Sequence, residues 1–530
     1  MNTFKRFAMI MVLVGLPVMV LHVPAWSLPA KEQGGTAVTL PCTFEQFPTI
    51  FESSVAIKVP PGPVKLIPSI SGILSLAVDS HATVWAGTEN GLLSFVPATK
   101  TGSLFTSLQG LPFNRITSLI PSGDTLWIAS SPHGPSNPAF GGLTAKDESG
   151  FRTFGPRQGL VCNWIDTMLL VDHTLYISTP RGLSFFDTGS QKFIYRKEGL
   201  SAGHSVYDGR SLLLEAGTVM PTPTELVSFN LETMILSRRD TRGMLGFDRL
   251  ASMAFYDGRI WATGYRLEKA KPEPHFQFEG LHIFDRHTGK LTMVDLPAGL
   301  YGESLTLKTA GPDLWFFSDR GFGPYREGRL TFYRAGDSEL PSIPHMVAMT
   351  AGASPATWMA RSPFLMKLDR KGLTCYRFTG CLSSNLITSL ASAYDSLWAG
   401  TEPGTIDRLN GKGEVIAVYG KDRGLPGAPV AELFHDGAQN LYARCEAEGD
   451  KKSGAPGKFL VRYDPGLDRW QEAQGWKGEK SLDCRNFPAK YLPLIAKLKL
   501  DTPEGKVLMV EGRDCSWLST YGSGIVRIEK

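Results

Sequence analysis

Arg181 and Arg320 carry the sharpest chemical signal in this sequence. Each follows a short aromatic run, Tyr176-Ile177-Ser178-Thr179 or Trp315-Phe316-Phe317-Ser318, and each precedes a glycine, Gly182 or Gly321. A turn has no need of a guanidinium there, whereas a carboxylate or an acidic partner is matched by its planar fork of donors. Glu89, Asn90, Asp319, Glu402 and Tyr521 fall at or beside the same corner of similar stretches. A second recurring phrase, a glycine and a leucine near a polar residue, supplies Asn114, Asn163, His204 and Asn385. The asparagines serve equally well to satisfy the backbone of a turn. The chemistry expected of such a set is recognition by convergent polar groups, with no bond making.

No catalytic signature appears elsewhere. The sequence has no Gly-x-Ser-x-Gly elbow, no His-Glu-x-x-His pair, no phosphate-cradling glycine loop and no EF-hand loop. The histidines are scattered. His282 and His287 lie near a hairpin turn and are expected to be exposed, not to ligate a metal, while Asp285 and Asp464 read as turn formers. Neither a metal nor a cofactor is expected. Seven cysteines include no Cys-x-x-Cys, which excludes thioredoxin-like, zinc-ribbon and c-type haem readings. Cys375 with Cys381, and Cys484 with Cys515, are the candidate disulfides; the alternative is that most are small buried apolar residues.

The elements that must position these residues are announced by repetition. Trp85-Ala86-Gly87-Thr88 and Trp398-Ala399-Gly400-Thr401 are the clearest copies of a phrase that recurs about every 40 to 50 residues. Fainter copies begin at Trp127, Tyr176, Glu215, Trp261, Trp315, Trp358, Tyr442 and Trp517. One unit reads as four short strands: Leu74–Val78, Thr83–Thr88, Leu92–Phe95 and a last one at Leu104. Asn90-Gly91 makes a tight turn between the second and third strands. The turn before the fourth strand recurs at Asp187, Asp285, Arg326, Asp369, Asn410 and Asp464. This pattern predicts an all-β fold, a β-propeller of four-stranded blades, with about ten repeat units and eight to ten blades. The tryptophans sit mid-strand and are expected to pack between blades. Turns between strands two and three, and connections between blades, share one end of such a ring, so the residues named above are expected around the mouth of its channel.

Residues 1–27 read as a secretory signal peptide. Lys5 and Arg6 precede the apolar run Ala8–Val20, and Ala25-Trp26-Ser27 is a small-x-small cleavage site near Ser27. A periplasmic or secreted protein is expected, with no transmembrane helix in the mature chain. The formal net charge of +4 falls to about +2 without Lys5 and Arg6, with no basic stripe for nucleic acid. Residues 28–69 form an N-terminal segment, and 70–530 hold the repeats with an insertion at about 471–504, helix-like over Tyr491–Leu500. The last unit supplies only three strands before Lys530. Thr36–Leu40 is expected to add the fourth and so close the ring.

The combined phrase of Ile116-Thr117-Ser118-Leu119, Leu397-Trp398-Ala399-Gly400-Thr401, Gly91-Leu92 and Gly110-Leu111-Pro112-Phe113-Asn114 resembles the two-component-regulator propeller repeat. The resemblance is close over 83–119 and 387–427 and looser between them. It implies a periplasmic sensor-type propeller. Receptors of that family continue into a transmembrane helix and a signalling module, so the expectation here is a ligand-sensing or protein-interaction module that signals through a separate envelope protein. The alternatives are an envelope assembly factor, with 471–504 as its docking element, or a propeller lyase or hydrolase acting on carbohydrate, which would need paired carboxylates at the mouth.

Overall fold

The computed structural model of the chain describes residues 38–530, apart from short internal stretches of which 133–139, 217–224, 335–347, 447–457 and 474–506 are the longest. Among the described residues, nine four-stranded antiparallel units hydrogen-bonded in sequence order are followed by a tenth that has three strands of its own. We number these sheets 1 to 10: 73–105, 116–154, 167–198, 202–240, 249–295, 305–334, 348–379, 387–419, 430–472 and 507–529. The fold is an all-β propeller architecture.

Local chemistry explains the repeated phrase. In sheet 1, Asp79 Oδ1 accepts the His81 and Thr83 amides, both at 2.9 Å, and its Oδ2 accepts the Trp85 indole N–H at 2.7 Å. The acid therefore shapes the first turn and anchors the aromatic of the next strand. At the end of the second strand a hydroxyl takes over: Thr88, Thr179 and Ser318 accept the amides of Asn90, Arg181 and Arg320. Gly182 and Gly321 follow with φ of 154°, and a Cβ at either would lie 2.0 or 2.2 Å from a carbonyl of the fourth strand. Glycine is required there because the third strand starts in contact with the fourth.

The sheets pack face to face through the expected tryptophans. Trp85, Trp127, Trp261, Trp315, Trp358, Trp398 and Trp517 are all buried. Each large buried side chain contributes roughly 1.5–3 kcal/mol through removal from water. Contacts run between successive first strands, which places those strands innermost and the fourth strands at the rim.

The packing order divides the ten sheets into two groups. Sheets 1 to 7 pack in sequence, and the first strand of sheet 7, Ala348–Ala351, returns to the first strand of sheet 1, Ile73–Val78. One core joins Trp358 and Phe378 of sheet 7 to Val84 and Phe95 of sheet 1. The first seven sheets thus form a ring of their own. Sheets 8, 9 and 10 form a second group, in which sheet 8 packs against both of the others. Sheet 10 does borrow its fourth strand from the N-terminal segment, but the donor is Val64–Ile67, antiparallel to Gly524–Glu529, and not Thr36–Leu40. The ring is therefore spliced into the chain of the three-sheet group. Its entry and exit run side by side, joined by a bridge between Ser69 and Leu382.

Residues 38–58 do something the repeats do not announce. They travel along the rim as a belt of parallel strands. Val38–Thr39 pairs with the outer strand of sheet 5, Cys42–Glu45 with that of sheet 6 and Thr49–Lys58 with that of sheet 7. The belt then crosses to sheet 1, where Ile57 and Lys58 pair with Gly102 and Ser103.

Cys375 and Cys381 are free thiols, as is Cys515. Cys375 packs in the core between sheets 6 and 7, and Cys381 against the core between sheets 7 and 1. Opposite faces of one sheet keep them apart, and burial pushes both thiols up to about 11. Cys484, residues 1–27 and Tyr491–Leu500 lie outside the described residues.

Candidate functional site

The ring places Glu89, Asn90, Asn114, Asn163, Arg181, Asp319 and Arg320 at one end, on second-to-third turns or sheet-to-sheet connections. Arg181 is exposed on the corner of sheet 3, with no ion pair among the described residues. Arg320 occupies the same corner of sheet 6, its side chain 57% exposed and 3.9 Å from Asp319. Glu89 is committed to structure, pairing with Arg115 at 2.9 Å across sheets 1 and 2. Asn114 is buried and accepts the Ser107 amide at 2.7 Å, which makes it a turn former. Asn163 packs on Gly141 and Gly142, where a Cβ would clash with it. His204 is not in a connection but within the first strand of sheet 4, Ala202–Tyr207.

The other three candidates lie beyond the seven-sheet ring in sequence. Glu402 is exposed on sheet 8, and Asn385 and Tyr521, outside the described residues, belong in sequence to the three-sheet group. The split of the ten sheets sets Glu402 apart from the candidates on the ring.

His282 also departs from expectation. It is buried, its Nδ1 lies 2.7 Å from the Leu245 carbonyl, and its ring stacks on Phe247 at 4.2 Å. Burial holds its pKa below the usual imidazole value.

Sequence reasoning passed over three ionisable groups. Lys308 lies in the first strand of sheet 6, Leu305–Ala310, with its surface open to solvent. Desolvation by the surrounding protein nonetheless holds its amine below the usual lysine value. A charge amid Leu-Thr-Leu-x-Thr-Ala was the available signal. Asp166 stands beside the entry to sheet 3; burial raises its carboxyl to about 6, opposed by Trp164 and by the charge of Arg115. Asp407 is wholly buried in sheet 8, and burial lifts it to about 7 although its Oδ2 accepts the Ser383 amide at 2.9 Å. No group of three or more metal-ligating side chains occurs among the described residues.

At the opposite end of the ring, a cleft of about 660 Å³ opens between sheets 6 and 7. Its wall includes Asp313, Trp315, Pro324, Arg326, Leu368 and Asp369, with Arg329 and Arg370 at its lip. Arg326 is held by Asp313 through two contacts of 2.6 Å, and Asp369 by Lys367 at 2.8 Å. Arg329 and Arg370 are exposed and have no ion pair among the described residues. The volume falls within the range of small-molecule sites.

No protein-family model matches this sequence. No curated protein matches it either. Among solved structures, similarity is found to PorZ, a bacterial surface component of the type-IX secretion system of Porphyromonas gingivalis, at 13% identity and a TM-score of 0.48. That match covers 86% of this chain, which spans only 65% of the other. The extracellular domains of two hybrid two component systems of B. thetaiotaomicron are also similar. BT3049 shows 12% identity and a TM-score of 0.24 over 87% of this chain and 82% of its own. BT4673 shows 14% and 0.28 over 88% and 73%. The propeller assignment stands on the strand order and sheet packing described above.

Proposed function

We propose that the chain is an exported β-propeller that binds a ligand or a protein and passes that event to a separate partner. One observation carries the reading: Arg181 and Arg320 stand exposed on equivalent corners of sheets 3 and 6, at the same end of one ring. Neither guanidinium is needed by its turn, whose backbone is served by Thr179 or Ser318. Two forks on one face suit a carboxylate-bearing surface. The basic start, apolar run and small-x-small site of residues 1–27 support export.

The test is capture from the envelope fraction of an exporting cell, using residues 28–530 and an Arg181→Glu, Arg320→Glu variant of matched melting temperature. A partner held by the first and reduced at least about tenfold by the second is expected, since charge reversal at a rim acts on encounter and specificity. Equal capture by both proteins removes the arginine face from the mechanism.

A further inference from the structure

The cleft between sheets 6 and 7 has an identifiable origin. At the seams of the ring, the third strand of one sheet offers a side chain toward a core residue on the second strand of the sheet before it, an aromatic everywhere except sheet 4, where it is Leu213. Strand register gives that position in each sheet, as the partner of Val84, Leu126, Leu175, Leu212, Ile260, Leu314 and Thr357 in turn. Five sheets place an aromatic there: Phe95, Phe186, Phe229, Phe284 and Tyr325. Phe95 lies 6.0 Å from Trp358, Phe186 5.1 Å from Trp127 and Tyr325 4.9 Å from Trp261. Sheet 2 places Lys146, whose amine covers the Trp85 ring at 5.0 Å. Only sheet 7 has an aliphatic residue, Leu368, opposite Trp315. On the facing first strand, Ala310 takes the register position that Tyr256 holds one sheet earlier. Two tyrosines that wedge the seam between sheets 5 and 6 are thus replaced by alanine and leucine, and Leu368 lines the cleft that opens beside Trp315.

The charges around that space are unevenly settled. Arg326 and Asp313 satisfy each other, as do Asp369 and Lys367. Arg329 and Arg370 remain, faced by one acid of the lining, Glu327. Arg329 opens the fourth strand of sheet 6, Arg370 lies on the third-to-fourth turn of sheet 7, and both line the cleft.

We propose that this cleft is a binding site for a small aromatic organic anion. Its ring takes the place that the aromatic plug holds in neighbouring seams, against Trp315, Pro324 and Leu368, and its carboxylate or phosphate is held by Arg329 and Arg370. The site lies at the opposite end of the ring from Arg181 and Arg320, and so does not depend on the function proposed above.

Calorimetric titration of residues 28–530 with benzoate and with phenyl phosphate, at constant ionic strength, tests it. Saturable binding of at least one probe is expected, and comparing the two shows which oxyanion the arginines prefer. Leu368→Phe restores the plug and is expected to keep or raise the melting temperature while abolishing binding. Arg329→Gln with Arg370→Gln, both at exposed positions, is expected to weaken binding at least about tenfold. Arg181→Gln with Arg320→Gln is expected to leave it unchanged. Failure of both probes to bind, unchanged affinity in Leu368→Phe, or an equal loss from the Arg181 and Arg320 pair each overturns the proposal.

Discussion

The rim of the ring is built in two ways. Among the described residues, sheets 2, 3 and 4 end in bare outer strands, Gly150–Phe154, Lys192–Glu198 and Leu236–Asp240. Sheets 5, 6 and 7 end in outer strands covered by the belt. The bare strands carry Arg152, Lys192, Arg196, Lys197, Arg238 and Arg239, and hold pairs such as Arg152 with Asp147 at 2.6 Å and Arg238 with Glu225 at 3.0 Å. The covered strands bury Leu330, Phe332, Leu373 and Phe378. An unpaired strand edge invites another chain, and charge or a covering element blunts it. Sheets 2 to 4 defend themselves with side chains. Sheets 5 to 7 are defended by backbone supplied from elsewhere, and their outer strands are free to be apolar.

Removing the belt should break this contrast most strongly. Deletion of residues 37–58 exposes three edges and the seam of sheets 7 and 1, and the burial of Leu40 and Ile57 alone is worth about 3 kcal/mol or more. Guanidinium unfolding should show at least that loss, with concentration-dependent light scattering; an unchanged midpoint and clear solutions would mean the belt is decoration. A finer comparison uses one residue type at two places. Ile57→Ala, in the core between sheets 7 and 1, is expected to lose about 2–3 kcal/mol. Ile194→Ala, 59% exposed on the bare edge of sheet 3, should stay within about 0.5 kcal/mol. Similar losses at both would contradict the assignment of Ile57 to the core. The smallest effect on stability is expected from Arg196→Val, Lys197→Val, Glu198→Val. The melting temperature should hardly move, yet sedimentation should reveal association at high concentration. A variant that stays monomeric would show that charge does not guard that edge.

Much of the architecture was legible because it is local. Asp79 shapes its own turn and Thr88 its own corner, so the four-strand unit can be read within a single repeat. The inward tryptophans were legible for the same reason. The division into seven and three was not, since it depends on which first strand meets which, and Ile73–Val78 looks no different whether its neighbour is sheet 7 or sheet 10. The belt was equally silent: Val38–Thr39 and Cys42–Glu45 are too short for a pattern, and parallel pairing leaves no turn to announce it. Of the candidate mouth, the arginine corners could be read from Thr179 and Ser318, whereas the commitment of Asn114 to its turn required the contact with Ser107. The cleft was written in the third strands as a leucine among aromatics, but only register shows that Leu368 and Tyr325 are equivalent.

The loan of Val64–Ile67 to sheet 10 sets a timetable. Its partner strand Gly524–Glu529 lies about 460 residues later in the sequence. During synthesis the seven-sheet ring has every strand of its own sheets, and its belt, long before sheet 10 exists. Val64–Ile67 must wait beside that ring with its strand edge unpaired until Gly524–Glu529 arrives, although Ile67 has Leu382, Ile387 and Leu397 to pack on earlier. The ring is thus the early product of this chain and the three-sheet group the late one. The interval between them is when the folding protein is most open to misassembly.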